Sequence, residues 1–309
     1  MGDDVGWNDL SYHHSSLSHS PTLDKLALSG VRLSNHHAFK VCAPSRAAFH
    51  TGRLPWQMGY YDNSGAAVPW LHLDSNRNGA PLNFSLLPEI LRDHAGYEAH
   101  AIGKWHLGHV TRAYTPTYRG YESFLGYFDA MTENYWAHTH STGTGTPGGC
   151  KGPGLEQLWP ALSNTTGHEL SHSLDNGTYE ATLFGDHAVR LIEGHAAKVT
   201  AAAGSSMRSV VPLFLYLAFH NEHDPHQAPK PAVEDPETAG KVVSDTYKVT
   251  VAQIATMDVQ MGRIVDALNS TGAQASIKPG SASARLHSCR PAALPLPPVR
   301  PTLSRLRPP

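Results

Sequence analysis

The strongest pattern along the chain is the nearly unbroken apolar run Val211-Pro212-Leu213-Phe214-Leu215-Tyr216-Leu217-Ala218-Phe219. It is far too short to span a membrane and suits a strand buried on both faces, hence a parallel sheet with helices packed around it. Other stretches carry the helical period. Ser20 to Gly30 reads as a helix capped by Ser20, with Pro21 first in the helix, Leu23, Leu26 and Ala27 on one face, and Gly30 as the stop. Leu86 to Arg92 predicts a second helix, with Leu87, Ile90 and Leu91 on one side and Gly96 ending it. Leu183, Phe184, Ala188, Leu191 and Ile192 mark a third. Ile254, Met257, Met261, Ile264, Val265 and Leu268 form the stripe of a last helix that stops at Gly272. Val31–Asn35 and Tyr97–Ile102 are predicted strands. Helices alternating with strands indicate the α/β class.

Composition adds boundaries. Ser141 to Gly177 is rich in Gly, Ser, Thr and Pro and reads as a long surface loop, and Ala201 to Ser206 as a flexible connection. No Asp or Glu follows Asp266, and residues 273–309 turn to Ser/Ala and then Pro and Arg. That composition cannot build a core element, so one α/β domain over residues 1–272 and a disordered tail over 273–309 are expected. A net charge of -2 leaves no basic footprint for nucleic acid. No apolar run reaches membrane-spanning length, and Met1-Gly2-Asp3-Asp4 shows no secretory signal. Sequons at Asn83, Asn164, Asn176 and Asn269 hint at secretion, while Cys42, Cys150 and Cys289 make no disulfide framework.

Four segments carry candidate chemistry. In Val41-Cys42-Ala43-Pro44-Ser45-Arg46, followed by Thr51-Gly52-Arg53, Pro44 suits the first turn of a helix. Cys42 then lies at the helix N-terminus, where free N–H groups and the dipole favour an anion. Arg46, one turn along, can reach back as a forked donor to oxyanion oxygens. In Gly103-Lys104-Trp105-His106-Leu107-Gly108 an extended backbone points Lys104 and His106 to the same side. The apolar strand runs into His220-Asn221-Glu222-His223-Asp224-Pro225-His226, and ligands of open α/β sheets gather at such strand ends. Asp3-Asp4-Val5-Gly6-Trp7-Asn8-Asp9 sets two carboxylates side by side, which suits a hard cation. Taken singly, each has a plain alternative: a buried structural Cys, a surface Lys-x-His, a surface His cluster, a solvated acidic start.

Taken together and in this order, the four motifs resemble the type I, formylglycine-dependent sulfatases, and His223-Asp224-Pro225 with Gln227-Ala228-Pro229 is similar to the arylsulfatase B-like branch. The resemblance implies an alkaline-phosphatase-like sandwich with a mostly parallel central sheet flanked by helices, incomplete at both termini. It implies hydrolysis of an aryl or carbohydrate sulfate ester. Cys42 would be rewritten to formylglycine by a formylglycine-generating enzyme, and Asp3, Asp4 and residue 42 would hold one Ca2+. Cys42, Arg46, Lys104, His106 and His223 would be catalytic, with Lys104 and His223 touching substrate, in a lysosomal or extracellular protein. The family's strand before the Asp pair and its later Asp-Asn have no counterpart here. Nothing is then expected to hold Asp3 and Asp4 from the N-terminal side, metal binding is expected to be weak, and turnover slow. An anion-binding remnant is the second reading. A phosphatase or phosphodiesterase relative is the third, although those place Ser or Thr where Cys42 stands.

Overall fold

A computed structural model describes residues 1–13, 18–60, 79–109, 111–128, 134–136, 163–166, 169–171, 177–203, 211–237, 242 and 244–272. Two short 3-10 turns, Trp7–Asp9 and Ser11–His13, come first. Helices α1 (Pro21–Ser29), α2 (Cys42–Thr51), α3 (Pro55–Met58) and α4 (Leu87–Ala95) follow, then strands β1 (Glu98–Lys104), β2 (Ser123–Tyr127), β3 (Ser163–Thr166) and β4 (Glu169–Ser171). Helix α5 (Glu180–Ala203), strand β5 (Leu213–Ala218), helix α6 (Lys230–Glu234) and helix α7 (Asp245–Ser270) complete the order. The sheet runs β4-β3-β2-β1-β5, with β1 parallel to both β2 and β5, and β2-β3-β4 antiparallel.

Alternation along the strands sorts side chains into two cores. Ala99, Ala101, Phe124, Tyr216 and Ala218 face α2 and α4 together with Trp105 and Tyr121. Ile102, Leu125 and Tyr127 face the other way, against Phe184 and Ile192 of α5 and Met257 and Ile264 of α7. The central backbones approach so closely that a Cβ on Gly103 would lie 1.9 Å from the Ala218 carbonyl oxygen, and one on Gly126 2.0 Å from that of Gly103. Glycine at these two positions is a condition of the packing.

Several expectations change. The apolar run does form a strand, but at the edge of the described sheet, so Leu213, Leu215 and Leu217 are only partly buried rather than enclosed on both faces. Within the expected loop from 141 to 177, β3 and β4 form a hairpin that extends the sheet; the rest of that stretch, except Gly177, and the tail 273–309 lie outside the described residues. Ala201 to Ala203 continue α5 instead of opening a connection. Val31–Asn35 is not a strand: it has no ladder partner among the described residues, and Val31 and Leu33 are exposed. Among the described residues no helix is long and apolar enough to cross a membrane.

Ser20 stands at the cap position of α1 but does not cap it, because its hydroxyl is engaged with Ser11 and Asp24. The free N–H groups of Thr22 and Leu23 donate instead to Asp258 of α7, at 3.0 and 2.8 Å. A buried carboxylate at a helix N-terminus satisfies orphan donors and meets the positive end of the dipole. Asp258→Ala is therefore expected to cost about 1–2 kcal/mol of folding stability in urea unfolding, with α1 loosened from α7.

His50 of α2 is buried, with Nδ1–H donating to the Arg46 carbonyl at 2.8 Å and Nε2 accepting from the Tyr121 hydroxyl at 2.9 Å. Burial, aided by the nearby Arg46 and Arg119 charges, lowers its pKa to about 4, so it stays neutral when folded. The unfolded chain takes up this proton near pH 6.5, so the contribution is complete above that pH and is lost as pH falls towards 4. About 3 kcal/mol is at stake from this one group. Denaturant titrations across this window should show stability falling with acidity, and His50→Gln should flatten the slope.

Candidate active site

The carboxyl ends of β1 and β5, the start of α2 and the N-terminal segment meet at one place. The meeting is fixed by backbone hydrogen bonds. The Met1 amino group donates to the Leu217 carbonyl at 2.7 Å, Phe219 N–H to Met1 and Asp3 N–H to Asn221, with Glu222 N–H returning to the Asp3 carbonyl. The N-terminal segment thus lies along the end of β5. The support that the sequence does not show on the N-terminal side of Asp3 comes from β5 and the loop after it.

Asp3 is 4% exposed, Arg46 1% and Lys104 0%. Lys104 Nζ lies 2.5 Å from Asp3 Oδ2, and Arg46 Nη2 3.3 Å from Oδ1. Buried ions persist only when paired and hydrogen-bonded. Burial by itself would raise the Asp3 pKa, but the Arg46 and Lys104 charges outweigh it and hold the carboxyl at about 2. Arg46 also donates through Nη1 to the Lys104 carbonyl and the Tyr216 hydroxyl, at 2.9 and 3.0 Å. The fork expected to reach back to a bound anion is therefore mostly spent on protein groups, and only its buried Nε lacks a hydrogen-bond partner. Tyr216 was not legible as a site residue; its only sequence sign is a hydroxyl inside the apolar strand.

Cys42 is the first residue of α2, half-buried, with Val41 extended before it and Pro44 in the first turn, as the motif predicts. Gly52, in the left-handed region, closes the helix. Lys104 ends β1, but His106 does not continue the extended backbone. His106 has φ 54°, so simple alternation does not place it on the Lys104 side; its N–H donates to the Phe128 carbonyl and its side chain is buried. Asp4, at φ 60°, is the other described non-glycine residue with a positive φ. Such backbone is costly outside glycine and concentrates at functional sites.

His223 lies at the rim, with Nε2 3.6 Å from Asp4 Oδ2 and Nδ1 2.9 Å from the Asp224 carbonyl. The neighbouring histidines separate cleanly. His220 is buried, stacked on Tyr135 at 4.5 Å and 3.4 Å from Glu180. His226 faces solvent beside Asp224. Glu222 went unnoticed in the sequence. Burial and contact with Asp9 raise its carboxyl to about 8, so it carries a proton at neutral pH, and its Oε1 accepts from Gly6 N–H at 3.4 Å.

The structure brings Asp3, Arg46 and Lys104 into contact, and Asp4 against His223. It does not assemble a calcium shell. Ca2+ takes six to eight oxygens. Both Asp3 oxygens already face cationic groups, Asp4 points to an imidazole, and no group of three or more His, Cys, Asp or Glu suited to a metal occurs among the described residues. The donor set of Asp3, Asp4 and Cys42 does not fit the ion as it stands.

Known proteins resemble this chain in sequence and in fold. Mouse arylsulfatase J is 30% identical over 235 residues, covering 74% of this chain and 32% of that protein. Pig N-acetylgalactosamine-6-sulfatase is 38% identical over 125 residues, covering 40% and 24%. The chain thus spans about a third or less of the length of these relatives. The crystal structure of Ps i-CgsB superposes with a TM-score of 0.69 at 23% identity over 88% of this chain and 54% of that one. PsFucS1 sulfatase from Pseudoalteromonas sp. gives 0.57 at 21%, over 88% and 51%. Both share the α/β fold. A family model described as Sulfatase matches residues 1–277, most of the chain, and this protein belongs to the sulfatase family.

Proposed function

We propose that this chain carries the ester-cleaving site of a sulfatase, with Cys42 the residue converted to formylglycine. The observation that supports this most is the buried Asp3–Arg46–Lys104 ion cluster, whose two cations exceed its one carboxylate. Its Arg46 is supplied by the helix that Cys42 heads. The two cations beneath the head of α2 would offset the charge of a sulfate held there.

When formed, the aldehyde hydrate would supply two hydroxyls, one to attack sulfur and one whose later collapse expels sulfate. The remaining work falls to side chains. The family resemblance gives His106 the part of orienting a hydroxyl of residue 42 and taking its proton. With one ring proton held by the Asp224 carbonyl at Nδ1, His223 acts as the acid in its doubly protonated form, whose second proton, on the Nε2 that faces Asp4, passes to the departing alcohol oxygen. Lys104 and Arg46 offset the charge that grows on sulfate oxygens as the bond breaks. The substrate is a sulfate ester, maturation requires a formylglycine-generating enzyme, and the family resemblance puts the protein in lysosomal or extracellular space.

Co-expression with a formylglycine-generating enzyme, followed by mass spectrometry of the Cys42 peptide, tests this reading. The aldehyde is expected, together with hydrolysis of a chromogenic aryl sulfate that Cys42→Ala abolishes. Turnover that survives Cys42→Ala would refute the assignment. An intact thiol with sulfate still bound would favour the second reading, an anion-binding remnant, for which the protein-satisfied Arg46 fork already speaks. Calorimetric titration with Ca2+ is expected to give weak, non-stoichiometric heats, since Asp3 is already neutralised. Tight one-to-one binding would contradict that account of Asp3.

A further inference from the structure

We propose that Tyr135 is a positioning residue for His223, gripping its backbone from beneath so that the imidazole stays set against Asp4 and the departing alcohol. The sulfatase reading supplies what His223 does, whereas the grip stands on geometry. An acid protonates a leaving oxygen only from within hydrogen-bond reach of it, so the backbone that carries the imidazole must be fixed. Regular structure does not fix it, because β5 ends at Ala218 and α6 starts at Lys230. Within the loop between them, His223 N–H donates to the His220 carbonyl at 2.9 Å.

The His223 carbonyl is taken by a distant part of the chain. The Tyr135 hydroxyl donates to it at 2.9 Å, across 88 positions. Tyr135 is itself fully buried and tied down. Its N–H donates to Gln227 Oε1 at 3.0 Å, its carbonyl accepts from Glu180 N–H at 2.8 Å, and its ring stacks on His220. Tyr179, stacked on Tyr135 with 5.3 Å between centroids, donates its hydroxyl to the Gln227 carbonyl at 3.0 Å. Two tyrosines thus hold the carbonyls at either end of the segment from His223 to Gln227. Burial raises the pKa of both phenols, so both hydroxyls keep the proton they donate.

Packing does not require the Tyr135 hydroxyl. A phenylalanine ring would fill the same space and stack on the same neighbours, but it would leave the His223 carbonyl without this donor. What the hydroxyl adds is a fixed place for the residue whose ring stands 3.6 Å from Asp4. Released from it, the imidazole would spend less of its time in the geometry that proton transfer needs.

The test compares the full chain carrying formylglycine with its Tyr135→Phe and Tyr121→Phe variants on 4-nitrophenyl sulfate and phenyl sulfate. Tyr121→Phe is the control, since it removes a buried hydroxyl bonded to His50, away from the loop. 4-Nitrophenolate departs with little help from an acid, whereas phenol needs the proton. Tyr135→Phe should lower kcat about tenfold on phenyl sulfate and less than about threefold on 4-nitrophenyl sulfate, with KM little changed. Equal losses on both esters, or the same bias from Tyr121→Phe, would overturn the proposal. A second measurement needs no turnover. In histidine-labelled chain, the His223 ring resonance, assigned by its loss in His223→Ala, should shift and broaden in Tyr135→Phe and stay in place in Tyr121→Phe. An unmoved resonance in Tyr135→Phe sinks the grip whatever the esters do. A moved resonance in a chain that bears the aldehyde yet cleaves neither ester sinks the ester-site reading and leaves the grip standing.

Discussion

The contact on which this architecture turns is the buried carboxylate of Asp3 shared between Lys104 and Arg46. It joins three pieces of chain, the N-terminal segment, the end of β1 and the first turns of α2, at the point where their backbone bonds and packing bring them together. Removing one partner would strand a charge in a region where solvent cannot compensate it. The cluster therefore constrains geometry as much as charge. It places the head of α2 over the sheet end, and the Met1–Asp3 rungs along β5 fix the carboxylate from the other side.

The two cores make this constraint possible. Small residues in the middle of the sheet, Ala101, Gly103, Gly126 and Ala218, let three backbones close up, so the strand ends are brought within reach of one another. Large side chains then act from above and below. Trp105, Tyr121 and Tyr216 surround His50 on the α2 side, while Tyr135 and Phe184 support His220 and the loop that presents His223. The site is a rim on a packed scaffold, with polar groups tied into the cores beneath it.

Much of this was legible in the sequence, because its signals were local. Cys42 heads its helix and Gly96 ends the next long one, as chemistry within a few residues dictates. The Ile254–Leu268 stripe became α7 because its period is a property of that segment alone. What escaped reading depends on distant chain. The polar residues of β3 and β4 pair because β2 offers an edge, not because of β propensity. Val31–Asn35 has strand composition but no neighbour to pair with among the described residues. Arg46 was singled out for an anion, but the partners it has lie 58 and 170 residues away, which no spacing rule supplies. Lys104 and His106 looked equivalent until the backbone turned left-handed between them and the next strand.

The cap of α1 by Asp258 has a bearing on the order in which the chain acquires its form. Its donor and acceptor are separated by 236 positions. On a ribosome, where segments emerge from the N-terminal end first, Thr22 and Leu23 are exposed long before residue 258 has been made. Until then the first turn of α1 has water in place of its carboxylate, and the helix, at nine residues, is too short to persist unaided. A helix that leaves the tunnel long before its cap thus becomes secure late, and nascent chains halted before α7 would remain open at that corner.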